Sequence, residues 1–181
     1  QRFGNNPDYQ LNCLINNPFF QKEVYQNLIS NVLEGKNWNN INFLPHLSKN
    51  SQVNDLMNFI DIDLSGLSNG EGWGLPAFNA TALGKWSVVS NCSSHKDWKT
   101  KKNAILVEPE GKQECYDEVF FKKGHPFNQG SYYKISDEGI IDGMERALKK
   151  VGENNIIGEK LREDFTYEKT VSGILKKIEE S

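Results

Sequence analysis

Asn69-Gly70-Glu71-Gly72-Trp73-Gly74-Leu75-Pro76-Ala77-Phe78-Asn79-Ala80-Thr81-Ala82-Leu83-Gly84-Lys85-Trp86-Ser87-Val88-Val89-Ser90 reads as loop, helix and strand. Ile60, Ile62 and Leu64, just before it, have strand character. Glycines 70, 72 and 74 let the backbone turn sharply and approach a ligand closely, because a residue without Cβ tolerates positive φ. Pro76 suits the first turn of a helix, where its missing N–H costs nothing. The spacing predicts a helix over about 75–83 with Leu75, Phe78, Ala82 and Leu83 near one face, closed by Gly84, and then a buried strand over 86–90. A strand-to-helix junction of this kind presents free N–H groups and a positive dipole end at the carboxyl edge of an α/β sheet, where anionic ligands bind. The expected ligand is a phosphate or sugar phosphate. The alternative, a glycine-rich turn that merely packs, has against it the Leu-Pro pair, the small-residue helix and the following strand, all in register.

Outward from this stretch, strands and helices alternate. A strand is predicted over 9–15, a turn at Asn16-Asn17-Pro18, and a helix over about 19–33 with Phe20, Val24, Leu28 and Val32 at spacings of four and Tyr25 and Ile29 beside them. Gly35 closes that helix. Ile41 to Leu44 reads as a strand, Ser51 to Ile60 as a helix capped by Ser51, and Asp61 to Ser65 as the next strand. After Ser90 come a helical turn over 93–98, a strand over 104–107, helices over 136–151 and 156–164, and a last helix that residues 165–170 enter. Ser136 caps the first of these, whose expected buried residues are Ile140, Ile141, Met144, Ala147 and Leu148. This order predicts βαβ units, hence an α/β fold with a Rossmann-like parallel sheet flanked by helices. The expectation is a single nucleotide-sugar-binding domain over 1–181, with an aromatic insertion at about 111–133 and C-terminal helices over 136–181.

Glu71-Gly72-Trp73-Gly74-Leu75-Pro76, Asn79-Ala80-Thr81-Ala82-Leu83-Gly84 and Val88-Val89-Ser90 together resemble the donor-site signature of retaining glycosyltransferases of the GT-B architecture, family four (group 1). That family reads E-G-F/W-G-L-P-x-x-E-A-x-A-x-G-x-P-V-V-x-S. The resemblance covers roughly Tyr9 to the end of the chain and implies the C-terminal half of a GT-B fold. It implies that Glu71 lies by the transferred sugar, that the backbone of Gly72, Trp73, Gly74 and Leu75 approaches the donor, and that position 79 meets the ribose. Asn79 stands where the family has its second glutamate, and Trp86 where a proline is usual. Asn79 still exchanges hydrogen bonds with a hydroxyl but loses the charge-assisted form, roughly twice as strong. By the same resemblance His46, after the second strand, borders the nucleotide base, and His95, after the 86–90 strand, lies close to the donor; the competing reading of His95 is an exposed loop histidine.

The resemblance implies a hexosyltransferase-like enzyme acting on a UDP-, GDP- or ADP-linked sugar, with no further cofactor and no metal. The basic pair that holds the donor pyrophosphate in the family has no match here, and neither does the N-terminal acceptor domain. The chain therefore reads as a truncated or shortened relative, inactive in transfer by itself. A non-catalytic nucleotide-sugar-binding or interaction module, decayed from such an enzyme, is the alternative. An epimerase acting on a nucleotide sugar shares the fold but usually not the Leu-Pro signature.

Composition excludes several classes. With 21 Lys and Arg against 24 Asp and Glu, and a net charge of -3, the chain lacks the basic field that nucleic acid demands. No apolar run approaches the roughly 18–20 residues that span a bilayer, and no signal pattern opens the sequence. A cytoplasmic protein is expected. Cys13, Cys92 and Cys115 show no metal or redox spacing and read as buried reduced thiols. Lys99, Lys101 and Lys102 form a small basic cluster, either phosphate-attracting or merely solvated. The insertion, with Tyr116, Phe120, Phe121, Phe127, Tyr132 and Tyr133, either packs on the core or forms an oligomer contact. The last helix carries Val171, Ile174, Leu175 and Ile178 on one face, which must pack on the sheet or stay exposed. His125 has no partner at metal-ligand spacing.

Overall fold

Parallel strand pairing across intervening helices dominates the molecule. In this computed structural model residues 2–15, 21–116, 121–126 and 130–180 are described. They fall into two compact units, residues 1–54 and 55–181.

In the first unit β1 (Leu11–Cys13) pairs in parallel with β2 (Ile41–Phe43), Leu11 opposite Ile41 and Cys13 opposite Phe43. The helix between them, α1 (Lys22–Val32), ends where Glu34 and Gly35 both turn left-handed, with the Gly35 N–H donating to the Ser30 carbonyl at 3.0 Å. Its apolar stripe is present, yet Val24, Leu28 and Val32 are exposed and none of its residues is buried. The expected turn at 16–18 and the helix start at Phe19 and Phe20 lie outside the described residues. α2 (Asn50–Phe59) spans the division between the units. It begins at Asn50, which puts Ser51 inside the first turn rather than at the cap.

The second unit holds a three-stranded, all-parallel sheet in the order β3 (Ile62–Gly66), β4 (Trp86–Ser90), β5 (Ile105–Val107). β4 is central, and Ser87 to Ser90 are all buried, as a strand covered on both faces requires. Its alternating residues serve opposite faces. Val89 joins Ala77, Ala82, Trp98, Ala104 and Leu161 on one side, while Val88 joins Ile105, Val107 and Ala147 on the other. The first face is covered by α3 (Leu75–Ala82), with the single turns α5 (Ile156–Glu159) and α6 (Leu161–Asp164) beside it. The second is covered by α4 (Asp137–Leu148).

Both covering helices meet the sheet through small residues. On α3 the buried positions are Ala77, Ala80, Thr81 and Ala82, whereas Leu75 is 60% exposed, so the face that touches the sheet is not the one marked by its bulkiest residues. The Thr81 hydroxyl donates to the Ala77 carbonyl at 2.7 Å and lies 2.9 Å from Ser87 Oγ on β4. On α4 the buried residues are Gly143 and Ala147, with Ile140, Ile141, Met144 and Leu148 half-buried around them. A Cβ at Gly143 would stand 2.6 Å from a Val107 methyl and 2.9 Å from a Val88 methyl. Ser136 caps α4, its hydroxyl accepting from the Gly139 N–H at 3.2 Å.

Asn155 locks the far end of this unit. It is fully buried; its amide nitrogen donates to the Lys85 carbonyl (3.0 Å) and the Asn103 carbonyl (2.8 Å), and its amide oxygen accepts from the Gly158 N–H (2.9 Å). The segment after β5 is an antiparallel ribbon of β6 (Gly111–Glu114) and β7 (Ser131–Lys134), so the aromatic insertion is a hairpin, of which Phe120 and Phe127 lie outside the described residues. α7 (Tyr167–Glu179), capped by Thr166, leaves Tyr167, Val171, Ile174 and Leu175 exposed. Among the described residues no helix is long and apolar enough to cross a membrane.

Candidate functional site

The loop from the carboxyl end of β3 to the amino end of α3 carries most of the residues singled out by the sequence. Gly74 is the N-cap of α3 in a left-handed conformation, φ 73° and ψ 50°, and it has no side chain with which to cap the helix. Pro76 occupies the first turn. The first hydrogen bond of the helix runs from the Phe78 N–H to the Gly74 carbonyl at 2.9 Å. The helix therefore begins at the carboxyl edge of the parallel sheet, the edge at which such sheets ordinarily bind ligands, with no side-chain cap of its own and with Gly74 buried against the His95 ring.

The segment after β4 holds this loop from below. The Ser90 hydroxyl donates to the Ser68 carbonyl (2.5 Å) and lies 3.2 Å from that of Gly66. The hydroxyls of Ser93 and Ser94 both donate to the Glu71 carbonyl at 2.8 Å. The Trp98 indole N–H donates to the Trp73 carbonyl at 3.0 Å. Ser93 and Ser94 belong to a short 3-10 turn over Ser93–Asp97, which Trp98 follows and the end of β4, at Ser90, precedes.

His95 sits at the centre of the arrangement and is fully buried. Its Nδ1 lies 3.2 Å from Ser90 Oγ and 3.3 Å from the Ser90 carbonyl. Its ring stands edge-on to Trp98 and rests against Gly74, where a Cβ would come within 2.2 Å of Nε2. Among the described residues Nε2 has no hydrogen-bond partner. Burial pulls the imidazole below its ordinary pKa, the Ser90 carbonyl and Glu71 oppose that shift, and Lys99 adds to it. Because the Ser90 hydroxyl is already given to Ser68, Nδ1 carries the proton that goes to the Ser90 carbonyl, and Nε2 is left as a bare acceptor.

Trp73 turns its ring inward. It packs with Phe78 and Phe165, and Phe78 packs with Trp98, at centroid separations of 5.3–5.8 Å within this set. Glu71 is half-buried, and Gly72, Leu75 and Asn79 are exposed. The structure thus ties Glu71 to Ser93 and Ser94, Trp73 to Trp98 and Gly74 to His95, and leaves Leu75 and Asn79 exposed on α3. His46 is exposed in the loop after β2 and belongs to the first unit. His95 is not the exposed histidine of the competing reading.

Lys99 is buried, in contrast to a solvated cluster, while Lys101 and Lys102 are exposed. Its ammonium donates to Asn91 Oδ1 at 2.5 Å, and the Asn91 amide donates to both oxygens of Glu108 at 2.7 and 2.8 Å, tying together the carboxyl ends of β4 and β5. Burial pulls its pKa down to about 8. Asp63, on β3, is the other buried titratable group of note: burial pushes its carboxyl up, and one of its oxygens has no partner. Cys92 is buried, whereas Cys13 and Cys115 are partly exposed, and no disulfide joins them. No group of three or more metal-ligating side chains occurs among the described residues.

Ser93, Ser94 and Trp98 are site-building residues that the sequence reading missed. The signal available was their place immediately after the central strand, at the edge where ligands bind. A cleft of about 370 Å³, lined by Asn5, Asn6, Tyr9, Gln10, Asn39 and Asn42 among others, lies at the amino ends of β1 and β2, the edge at which parallel sheets do not ordinarily bind ligands. In comparisons with known proteins, neither a family model nor a curated sequence matches the chain.

Proposed function

We propose that the loop 69–75 binds a nucleotide-sugar donor and that the chain is the donor-binding part of a retaining glycosyltransferase. The observation that carries this reading is the uncapped amino end of α3, opened by left-handed Gly74 at the carboxyl edge of the parallel sheet. In this reading the Leu75 N–H and the helix dipole meet the departing diphosphate. Such a preorganised donor is worth about 3 kcal/mol where charge develops. The Glu71 carboxylate holds hydroxyls of the transferred sugar, the backbone at Gly72 and Trp73 allows close approach, and Asn79 meets the ribose. In this reading the bond from the sugar's anomeric carbon to the diphosphate breaks through an oxocarbenium-like state, and the hydroxyl of an acceptor held by an acceptor-binding domain forms the new glycosidic bond while its proton passes to the departing diphosphate. Cysteines left outside disulfides suit a reducing, cytoplasmic setting.

Calorimetric titration with UDP-, GDP- and ADP-sugars tests this. One donor is expected to bind. Glu71→Ala should weaken it about 10- to 100-fold, the equivalent of one charge-assisted hydrogen bond. Failure of every donor to bind removes the reading. A second reading, binding without catalysis, draws on the neutral, exposed Asn79. Slow hydrolysis of the bound donor favours the enzyme, and donor bound indefinitely intact favours the module.

A further inference from the structure

We propose that Ser93 and Ser94 are positioning residues for Glu71, fixing the direction of its carboxylate by jointly holding its backbone carbonyl. The inference rests on the reading of loop 69–75 as a donor-sugar site. Two hydroxyls, each at 2.8 Å, occupy both lone pairs of one carbonyl oxygen. Nothing else described fixes this peptide. Glu71 lies between Gly70 and Gly72, and a Cβ added at either glycine would meet no atom within 4 Å, so packing does not restrain the chain there. A glutamate flanked by two unrestrained glycines would sample many backbone directions, and the two serines remove that freedom.

They do so at a conformational expense. Ser93 adopts φ 54°, a left-handed conformation costing an ordinary residue on the order of 1 kcal/mol. Relaxing it would withdraw the Ser93 hydroxyl from Glu71. The bonds go to the main chain and leave both carboxylate oxygens available to a ligand. The same short turn grips the loop twice more, through Trp98 on the Trp73 carbonyl and His95 against Gly74. Residues 71, 73 and 74 are thus fixed by one segment, and 71 is the one whose side chain remains outside the aromatic cluster.

The test compares binding of a nucleoside diphosphate with binding of its sugar conjugate: UDP with UDP-glucose, GDP with GDP-mannose, ADP with ADP-glucose. The double variant Ser93→Gly/Ser94→Ala removes both hydroxyls while glycine keeps the left-handed backbone unstrained. The advantage of the conjugate over the bare diphosphate should fall about tenfold, as in Glu71→Gln, while diphosphate affinity changes less than about twofold. In a Glu71→Gln background the serine changes should have no further effect on that ratio. Ser94→Thr, which keeps a hydroxyl, should keep the ratio. An unchanged ratio in the double variant, or an equal loss for diphosphate and conjugate, overturns the positioning role and leaves the donor reading standing. Absence of binding by every diphosphate and conjugate to the unaltered chain overturns the donor reading and this inference with it.

Discussion

Gly74 and Gly72 look interchangeable in the sequence, and the structure assigns them opposite fates on substitution by alanine. Gly74 sits at φ 73°, and a Cβ there would stand 2.2 Å from His95 Nε2 and 2.6 Å from its Cδ2. Left-handed alanine costs about 1–2 kcal/mol. The overlap forces the buried imidazole off its Ser90 contacts, an overpacking cost of about 1–3 kcal/mol. Gly74→Ala should therefore destabilise the protein by about 2–5 kcal/mol. Gly72 has no left-handed φ and an open surround, so Gly72→Ala should stay within about 0.5 kcal/mol. Urea unfolding followed by tryptophan fluorescence is suited to the comparison, since Trp73 and Trp98 both lie in the aromatic cluster beside the loop. Combining Gly74→Ala with His95→Ala removes the overlap, and the double variant should be more stable than the sum of the single losses by about 1 kcal/mol or more. Equal stabilities for the two glycine variants, or strict additivity in the double variant, would refute the assignment of His95 against Gly74.

Two further outcomes follow from buried polar groups. Asn155→Ala strands the Lys85 and Asn103 carbonyls and the Gly158 N–H together; at about 1–3 kcal/mol for each buried group left unpaired, the loss in urea unfolding should be about 3 kcal/mol or more, with Asn155→Asp no better at pH 7 because it aims an acceptor at two carbonyls. Lys99, held near 8 in the folded state against about 10.4 unfolded, binds fewer protons folded than unfolded between those values. Stability should therefore rise with pH from about 8 to 10.4, and Lys99→Met should lack that rise; identical pH profiles in unfolding experiments would count against it.

The stretch from β3 to β4 was legible because its punctuation is chemical. Gly74, Pro76 and Gly84 mark the ends of α3 through backbone properties that no tertiary contact overrides, and Trp86–Ser90 stands as a strand over the range read from its apolar run. The face that α3 buries was read in part. Of Leu75, Phe78, Ala82 and Leu83, Ala82 is buried and Phe78 packs against the core, but Leu75 is exposed. Periodicity weighs side chains by bulk, while a helix lying close on a sheet needs small residues, and Ala77, Ala80 and Thr81 complete the buried face. For α1 the stripe was read correctly as apolar, but an apolar period does not say that a face is covered, and Val24, Leu28 and Val32 are exposed. His95 was least legible. Its polarity argued for exposure, and what buries it is the missing Cβ of a glycine distant in sequence.

That contact also bears on how the site can work. Ordering a flexible residue costs about 1–2 kcal/mol of backbone entropy, so a glycine-rich loop that froze only on meeting its ligand would forfeit several kcal/mol of affinity. Here Ser68, Glu71 and Trp73 have their carbonyls engaged by Ser90, Ser93, Ser94 and Trp98 before any ligand arrives, and Gly74 is fixed by the His95 ring. The ordering cost falls on folding. A site that relies on main-chain N–H groups needs this arrangement, because a backbone donor has no rotamers with which to adjust and must already point where charge will sit. The glycines make close approach possible and the following turn makes it rigid. If loop 69–75 is the donor site proposed above, changes within 90–98 should therefore alter ligand affinity through a loop they themselves support, without any need for direct contact with what binds there.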